Sequence, residues 1–474
     1  MAVRNRLRFT IFSSLFLIAI ILLGISSYRK GHHEIMLEYV KQQAKLRTLQ
    51  ALYPDRNYTP ENYTAWDEMF VDPGSEFNSD ESVPLPSDSH FVELESEVSS
   101  YQRANASFFS LVRNEELYSL LESITHVETR FNQRYHYDWI FANDEPFTET
   151  FKREVQNLVS GNCTFVTIPE EYWSYPDFID QDKARATRER MTKAGIIYGG
   201  SESYRHMCRF NSGFFYKLDA FKGIKYYWRV EPDIQFNCDL PFDYFKYMED
   251  NDLKYGFTMA LHELAYTING LFDATKEFFN ELHPEYVSKN NHIDFISQDE
   301  QQSYNLCHYW SNFELGDLDF LRSKEYNEYF DHLDSKGGFF YERWGDAPIH
   351  TLAVSYLLTK NETHYFDNTG YYHVPHTQCP TLVKDRMDYH CICQPSSDFN
   401  WGNVDSCVPL YHDTKGMKRP DRYTAMVYLT DRKPVVRVEI NVDGKNVLVS
   451  DPQDPAAHSP EADGGDSSYN GFIV

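Results

Sequence analysis

The sequence predicts an α/β fold, a mixed sheet with helices on both faces. Two observations carry this. From about Ala104 onward, short apolar and aromatic runs alternate with amphipathic stretches at helical spacing, the pattern of strands joined by helices. The 474 residues are 42% apolar and 16% aromatic, enough to bury a sizeable core.

The elements follow in order. ASFFSLV, ending at Val112, is a strand, and Asn114 is placed to cap a helix running to about Phe131. YDWIFAND, Tyr137 to Asp144, is a second strand, and PFTETFKREVQNLV a second helix. FVTIP, Phe165 to Pro169, is a third strand, followed by a helix over Asp180 to Gly195. IKYYWRV is a buried strand, and DYFKYMED a helix after it. Near the end, PVVRVEINVDGKNVLVS alternates around Asp443-Gly444, a hairpin signal, and the polar remainder carries no chemistry.

The N-terminal region has another character. Phe9 to Tyr28 is uncharged and long enough to span a bilayer as one helix. Arg4, Arg6 and Arg8 before it favour a cytoplasmic N-terminus. A cleaved signal peptide is the rival reading, disfavoured by the length of the run. Ile35 to Tyr53 has helical spacing, and Pro54 to about Ser100 is an acidic, Pro/Ser-rich stalk. Most of the chain is then lumenal or extracellular. Asn-x-Ser/Thr acceptors at Asn57, Asn62, Asn105, Asn162 and Asn361 agree with that side.

Of eight cysteines, Cys379, Cys391, Cys393 and Cys407 cluster late. Their spacing lacks the paired C-x-x-C knuckles of zinc sites, so two disulfides of open connectivity are expected. Cys208, Cys238 and Cys307 sit in apolar settings and read as buried thiols. A net charge of −26 excludes a general nucleic-acid binder while allowing a local pocket for a small phosphorylated ligand.

Five places carry candidate chemistry. In open α/β sheets ligands bind beyond the carboxyl ends of strands. Glu231-Pro232-Asp233 stands at such an end, where the proline stops the ladder and two hard oxygen donors suit Mg²⁺ or Mn²⁺ on a diphosphate. Glu314 ends the aromatic stretch beginning at Ser303, a desolvated carboxylate suited to work at a sugar carbon. In GGFFYERWGDAPIH, Gly337 to His350, the glycines allow close approach of a ligand. Tyr341 and Trp344 are candidates to stack on a sugar, and Glu342 and Asp346 to accept from its hydroxyls. His373 offers an imidazole near a strand end, and Tyr204 to Arg209 offers cations beside a phosphate. Each has an ordinary structural alternative.

The stretches YGGSESYRHMCRFNSGFF, YYWRVEPDIQFNCDL, YGFTMALHE, YNLCHYWSNFE and GGFFYERWGDAPIH together resemble the motifs of the fungal Golgi α-1,2-mannosyltransferases, glycosyltransferase family 15. The resemblance runs from about Ser107 to Tyr411. It implies a GT-A-like catalytic domain over 104–412 behind a cytoplasmic tail (1–8), a signal anchor (9–28) and a lumenal stem (29–103), with an extension at 413–474. It implies GDP-mannose as donor, Mn²⁺, retention, and a mannosylated glycoprotein as acceptor. Glu231 and His373 match the family's metal ligands. Glu314 matches its candidate nucleophile, Tyr204 a tyrosine near both sugars, and Asp346 an acid on the acceptor side. Arg113 and Asn114 match its nucleotide pocket, although Val112 replaces the usual alanine. Asp233 is a second acid for the metal, ribose or mannose. The acceptor-side stretch GYYHVPH departs from the family's GYHHPP. An inactive mannan-binding member and a glycosidase or phosphotransferase remain the alternatives.

Overall fold

The computed structural model describes residues 101–420, together with the backbones of Glu439–Val442 and Lys445–Leu448. The apolar run Phe9–Tyr28, the helix expected over Ile35 to Tyr53, most of the stalk and the polar tail lie outside the described residues. Among the described residues no helix is long and apolar enough to cross a membrane. The two late strands pair antiparallel on either side of Asp443-Gly444.

The centre is a seven-stranded sheet. Its strands are β1 (Ala106–Leu111), β2 (Asp138–Asn143), β3 (Cys163–Thr167), β4 (Tyr226–Arg229), β6 (Tyr255–Phe257), β9 (Glu314–Asp317) and β10 (Thr363–Tyr365). They lie in the order β10-β6-β9-β4-β1-β2-β3. All run parallel except β9, which is inserted antiparallel between β4 and β6. Alternation of side chains along each strand feeds two cores. Phe108, Trp139, Phe141, Tyr226 and Trp228 enter one, while Phe109, Ile140, Ala142 and Tyr227 enter the other. Covered on both faces, the strands read as continuous apolar runs.

The expected helices form with the caps their sequences supply. Thr148 caps Glu149–Gln156 by accepting from Phe151 N, and Asp180 caps Gln181–Lys193. Asp243 caps Tyr244–Asp250. The first helix starts differently. Asn114 opens a single 3₁₀ turn, Asn114–Glu116, and the α-helix is Leu117–Arg130. Arg113 occupies the cap position, and Asn114 instead spends its side chain on the next loop. Its Oδ1 accepts from Thr148 N (3.0 Å) and its Nδ2 donates to Pro146 O (3.1 Å).

A second sheet folds back over the end of β4. The chain leaves β4, turns through Glu231-Pro232-Asp233 and enters β5 (Gln235–Phe236). β11 (Tyr371–His373) pairs antiparallel with β5 and with β12 (His376–Thr377). The register sets Tyr372 opposite Gln235 and so carries His373 back toward the turn. β7 (Ala260–His262) and β8 (Cys307–Tyr309) form a further antiparallel pair.

The cysteine expectation is corrected. Three disulfides form: Cys238–Cys391, Cys307–Cys407 and Cys379–Cys393. All four late cysteines are bridged, but two of them reach back to Cys238 and Cys307, which are therefore not thiols. Their apolar surroundings reflect the burial of the bridges, a feature a thiol shares. Cys208 is a buried thiol as expected, and Cys163 is also free.

Candidate functional site

A cleft lies at the carboxyl end of β4, where parallel strands direct their termini and where β9 begins. Glu231 lines it and is partly exposed. Asp233 sits two residues further, exposed, with φ +63°, a left-handed conformation that aspartate tolerates in turns. The proline between them ends the strand, and the turn presents the two carboxylates to different surroundings.

Arg229, the last residue of β4, organises the charges. It is buried, and its Nη2 donates to Glu231 Oε1 while its Nη1 donates to Asp346 Oδ2 (2.5 Å). Ser311 Oγ also donates to Asp346 Oδ2 (2.9 Å). Asp346 opens the helix Asp346–Leu357, and its position in the first turn faces the positive end of the helix dipole. Burial alone would raise the Asp346 carboxyl, but Arg229 and His350 beside it more than reverse this and hold it below its ordinary value. Burial likewise works against the Arg229 cation, and Glu231, Asp346 and Glu314 more than compensate. Asp346 is thus an anion in the cleft wall.

His373 is outside the cleft lining but approaches Glu231. Its Nδ1 lies 3.2 Å from Val374 O. A carbonyl oxygen only accepts, so Nδ1 carries a proton, and in the neutral ring Nε2 then presents a lone pair. That Nε2 lies 3.8 Å from Glu231 Oε2. Two ligands of one octahedral ion stand about 3 Å apart when adjacent and about 4 Å when opposite. A carboxylate oxygen and an imidazole nitrogen at this spacing fit Mn²⁺ by donor type and separation. Trp310, edge-on to His373 with ring centroids 5.3 Å apart, fixes the imidazole plane.

Glu314 lies one layer deeper. It pairs in register with Arg229 of β4 and Phe257 of β6 and is 1% exposed. Its Oε1 accepts from Tyr227 OH, and its Oε2 from Tyr255 OH (3.0 Å) and His350 Nδ1 (2.9 Å). It is not among the residues lining the cleft. Burial would depress the His350 imidazolium, but Glu314 outweighs that and raises it. A buried ion pair therefore backs the cleft.

Tyr204 lines the cleft, half-buried, with its ring stacked on Tyr198 at 4.5 Å and the Arg343 guanidinium 5.3 Å from its ring centroid. Arg113 and Asn114 stand at the end of β1, the neighbour of β4 and thus at the same edge of the sheet, but outside the cleft lining. Other expectations are corrected. Gly338 approaches Trp344, not a ligand: a Cβ there would lie 2.1 Å from the indole. Trp344 is 2% exposed and donates to Glu342 Oε2, which also accepts from Gly270 N. Tyr341 lies under Lys183 and accepts from Asp180 N. Arg205 and Arg209 are structural cations, the first bound to carbonyls of Ser201 and Glu342, the second paired with Asp334 (2.7 Å).

Sequence reasoning missed Arg229, Arg343, Glu263 and His350. All four were visible only as parts of quoted motifs. A cation within an otherwise apolar buried strand was the available signal for Arg229, since burial of such a group demands partners. Glu263 and Arg343, both in the cleft wall with Nη2 and Oε1 3.7 Å apart, left no such signal.

A mostly parallel sheet, a strand-end carboxylate facing an imidazole, and a charged cleft suit a metal-dependent, nucleotide-sugar type of glycosyltransferase. The chain belongs to the glycolipid 2-alpha-mannosyltransferase family, whose pattern matches residues 63–416. It is 52% identical over 326 residues to glycolipid 2-alpha-mannosyltransferase 1 of Candida albicans, covering 68% of this chain and 75% of that protein. It is 49% identical to the alpha-1,2 mannosyltransferase KTR1 of Saccharomyces cerevisiae, covering 67% of this chain and 80% of the relative. The fold is similar to the crystal structure of core-mannan synthase A from Aspergillus fumigatus in its Mn/GDP form. That likeness has a TM-score of 0.63 and 40% identity, over 67% of this chain and 87% of the other.

Proposed function

We propose that this enzyme transfers mannose from GDP-mannose to the 2-hydroxyl of a mannose on a protein-linked glycan, forming an α-1,2 linkage with retention. Family membership and the relatives' activities support the reaction. The observation that carries the site assignment is the convergence of Glu231 Oε2 and His373 Nε2 at the end of β4.

Glu231 and His373 hold Mn²⁺, with Asp233 near enough in sequence to serve the ion or the ribose. The ion, when bound, offsets the negative charge that builds on the departing diphosphate. Arg113 and Asn114, at the adjoining strand end, contact the nucleotide. Arg229 orients Glu231, and it holds Asp346 in the wall. Asp346 accepts from a sugar hydroxyl on the acceptor side. Tyr204, braced by Tyr198 and Arg343, packs against the sugars.

Glu314 acts as a fixed negative charge behind the reacting carbon. Two tyrosines and His350 already donate to its oxygens, which makes it a poor nucleophile and a good electrostatic brace. This favours attack from the leaving-group face through an oxocarbenium-like ion pair over a covalent intermediate on Glu314. The chain is placed in the Golgi as a single-pass protein anchored by Phe9–Tyr28, with the stem and the GT-A-like catalytic domain lumenal. The length of that run, the flanking arginines and three disulfides support the placement.

Calorimetric titration of GDP tests the site. Binding strengthens with Mn²⁺ and loses that response in Glu231→Ala and His373→Ala. Equal GDP affinity with and without Mn²⁺ in the unmodified enzyme contradicts the assignment.

A further inference from the structure

Three glycosylation acceptors fall within the described residues, and the fold places all three at one pole. Asn105 immediately precedes β1, Asn162 precedes β3 and Asn361 lies two residues before β10. These strands are parallel, so their amino ends share one edge of the sheet. The catalytic residues occupy the other edge, beyond the carboxyl end of β4. A six-residue strand separates the two edges by about 20 Å. All three asparagines are exposed.

Their positions across the sheet also differ. β10 and β3 are its two outer strands. An outer strand presents unpaired backbone groups that invite pairing with another chain. β10 is partly guarded, since Lys415 Nζ donates to Thr363 O (2.7 Å) and the strand is largely buried. β3 is more open: none of its five residues is fully buried, and Thr164 and Thr167 are exposed. Asn162 stands at its start, where its Nδ2 donates to Asp138 Oδ1 (3.0 Å).

We infer that Asn105, Asn162 and Asn361 carry N-linked glycans, forming a sugar-covered pole opposite the catalytic cleft, and that the Asn162 glycan shields the β3 edge. The inference rests on the lumenal placement proposed above. In the modification, the Asn Nδ2 attacks the anomeric carbon of a lipid-diphosphate-linked oligosaccharide. The C–N bond forms, the C–O bond to the diphosphate breaks, and the amide proton leaves as the lipid diphosphate departs. The secondary amide that results retains one N–H, so the bond from Asn162 to Asp138 survives. A catalytic domain that processes bulky glycans thereby keeps its own away from the mouth where acceptors enter.

The test uses the full chain made in a glycosylating eukaryotic host. Peptide mass spectrometry after amidase release reports Asn→Asp conversion at each site. All three sites are expected to be converted. Enzymatic removal from the folded protein is expected to leave kcat/KM within twofold. It is also expected to raise concentration-dependent self-association, an effect reproduced by Asn162→Gln more than by Asn361→Gln. Occupied Asn57 or Asn62 with bare Asn105, Asn162 and Asn361 overturns the proposal and leaves the lumenal placement standing. No glycan at any acceptor, with the domain open to protease outside sealed microsomes, overturns both. A change in acceptor KM on deglycosylation overturns the placement of the sugars away from the cleft.

Discussion

Glu231 Oε2 and His373 Nε2 face one another across 3.8 Å, brought together by the antiparallel pairing of β5 with β11. Neither residue is near the other in sequence, and the small sheet exists to close that distance. Removing either proposed ligand is therefore expected to cost more than the loss of about 10–100-fold typical of outer-shell partners. Activity against Mn²⁺ concentration reports this. Asp233→Ala, in an exposed turn, should cost much less, and the reverse order would transfer the metal to Asp233.

Asp346→Asn is expected to lower kcat/KM by about 10²–10³-fold, the range for loss of one positioned electrostatic group. GDP affinity should stay close to that of the unmodified enzyme, because Asp346 is assigned to the acceptor side. The Asp346 carboxyl is held below its ordinary value of 3.8. Its contribution to stability is thus full above that value and lost as pH falls through the lower folded value. Acid unfolding of Asp346→Asn should accordingly show a shallower limb at the lowest pH, and identical limbs would remove the ion pair with Arg229 from the account.

The His350–Glu314 pair has the opposite sign. His350 is raised above 6.5, so the fold favours its charged form. Its contribution is full below pH 6.5 and declines as pH rises through the folded value. The stability gap between the unmodified enzyme and His350→Gln should narrow across that interval in chemical denaturation. Glu314→Gln is expected to abolish transfer while preserving GDP binding. It should also lower stability, by about 3–5 kcal/mol if His350 is left charged and unpaired. Full activity in that variant would remove Glu314 from the reaction.

Denatured, unreduced protein should titrate two thiols, Cys163 and Cys208, out of eight cysteines. Reduction should cost about 2–5 kcal/mol per bridge. Four or more thiols would contradict the pairing of Cys238 and Cys307 with late cysteines.

Much of the fold was legible because strands buried on both faces read as apolar runs and helices carry their own caps. Thr148, Asp180 and Asp243 announce their helices locally. The long-range pairings were not legible. The antiparallel insertion of β9 depends on packing between distant segments, as do the disulfide partners of Cys238 and Cys307. At the site, Glu231, Asp346 and Tyr204 line one cleft, and His373 stands beside Glu231 outside that lining. Arg229 escaped notice because its role comes from partners on two other segments. Trp344 was misread for a related reason: an aromatic beside two glycines looks the same whether it packs against backbone or against sugar.

The most direct measurement is the linkage and anomeric configuration of the product. The catalytic region from about residue 104 is incubated with GDP-mannose, Mn²⁺ and methyl α-mannoside, and the disaccharide is analysed by NMR. An α-1,2-linked product is expected, its formation stopping on chelation and in His373→Ala. A β-linked product, free mannose in place of a disaccharide, or undiminished transfer by His373→Ala would contradict it.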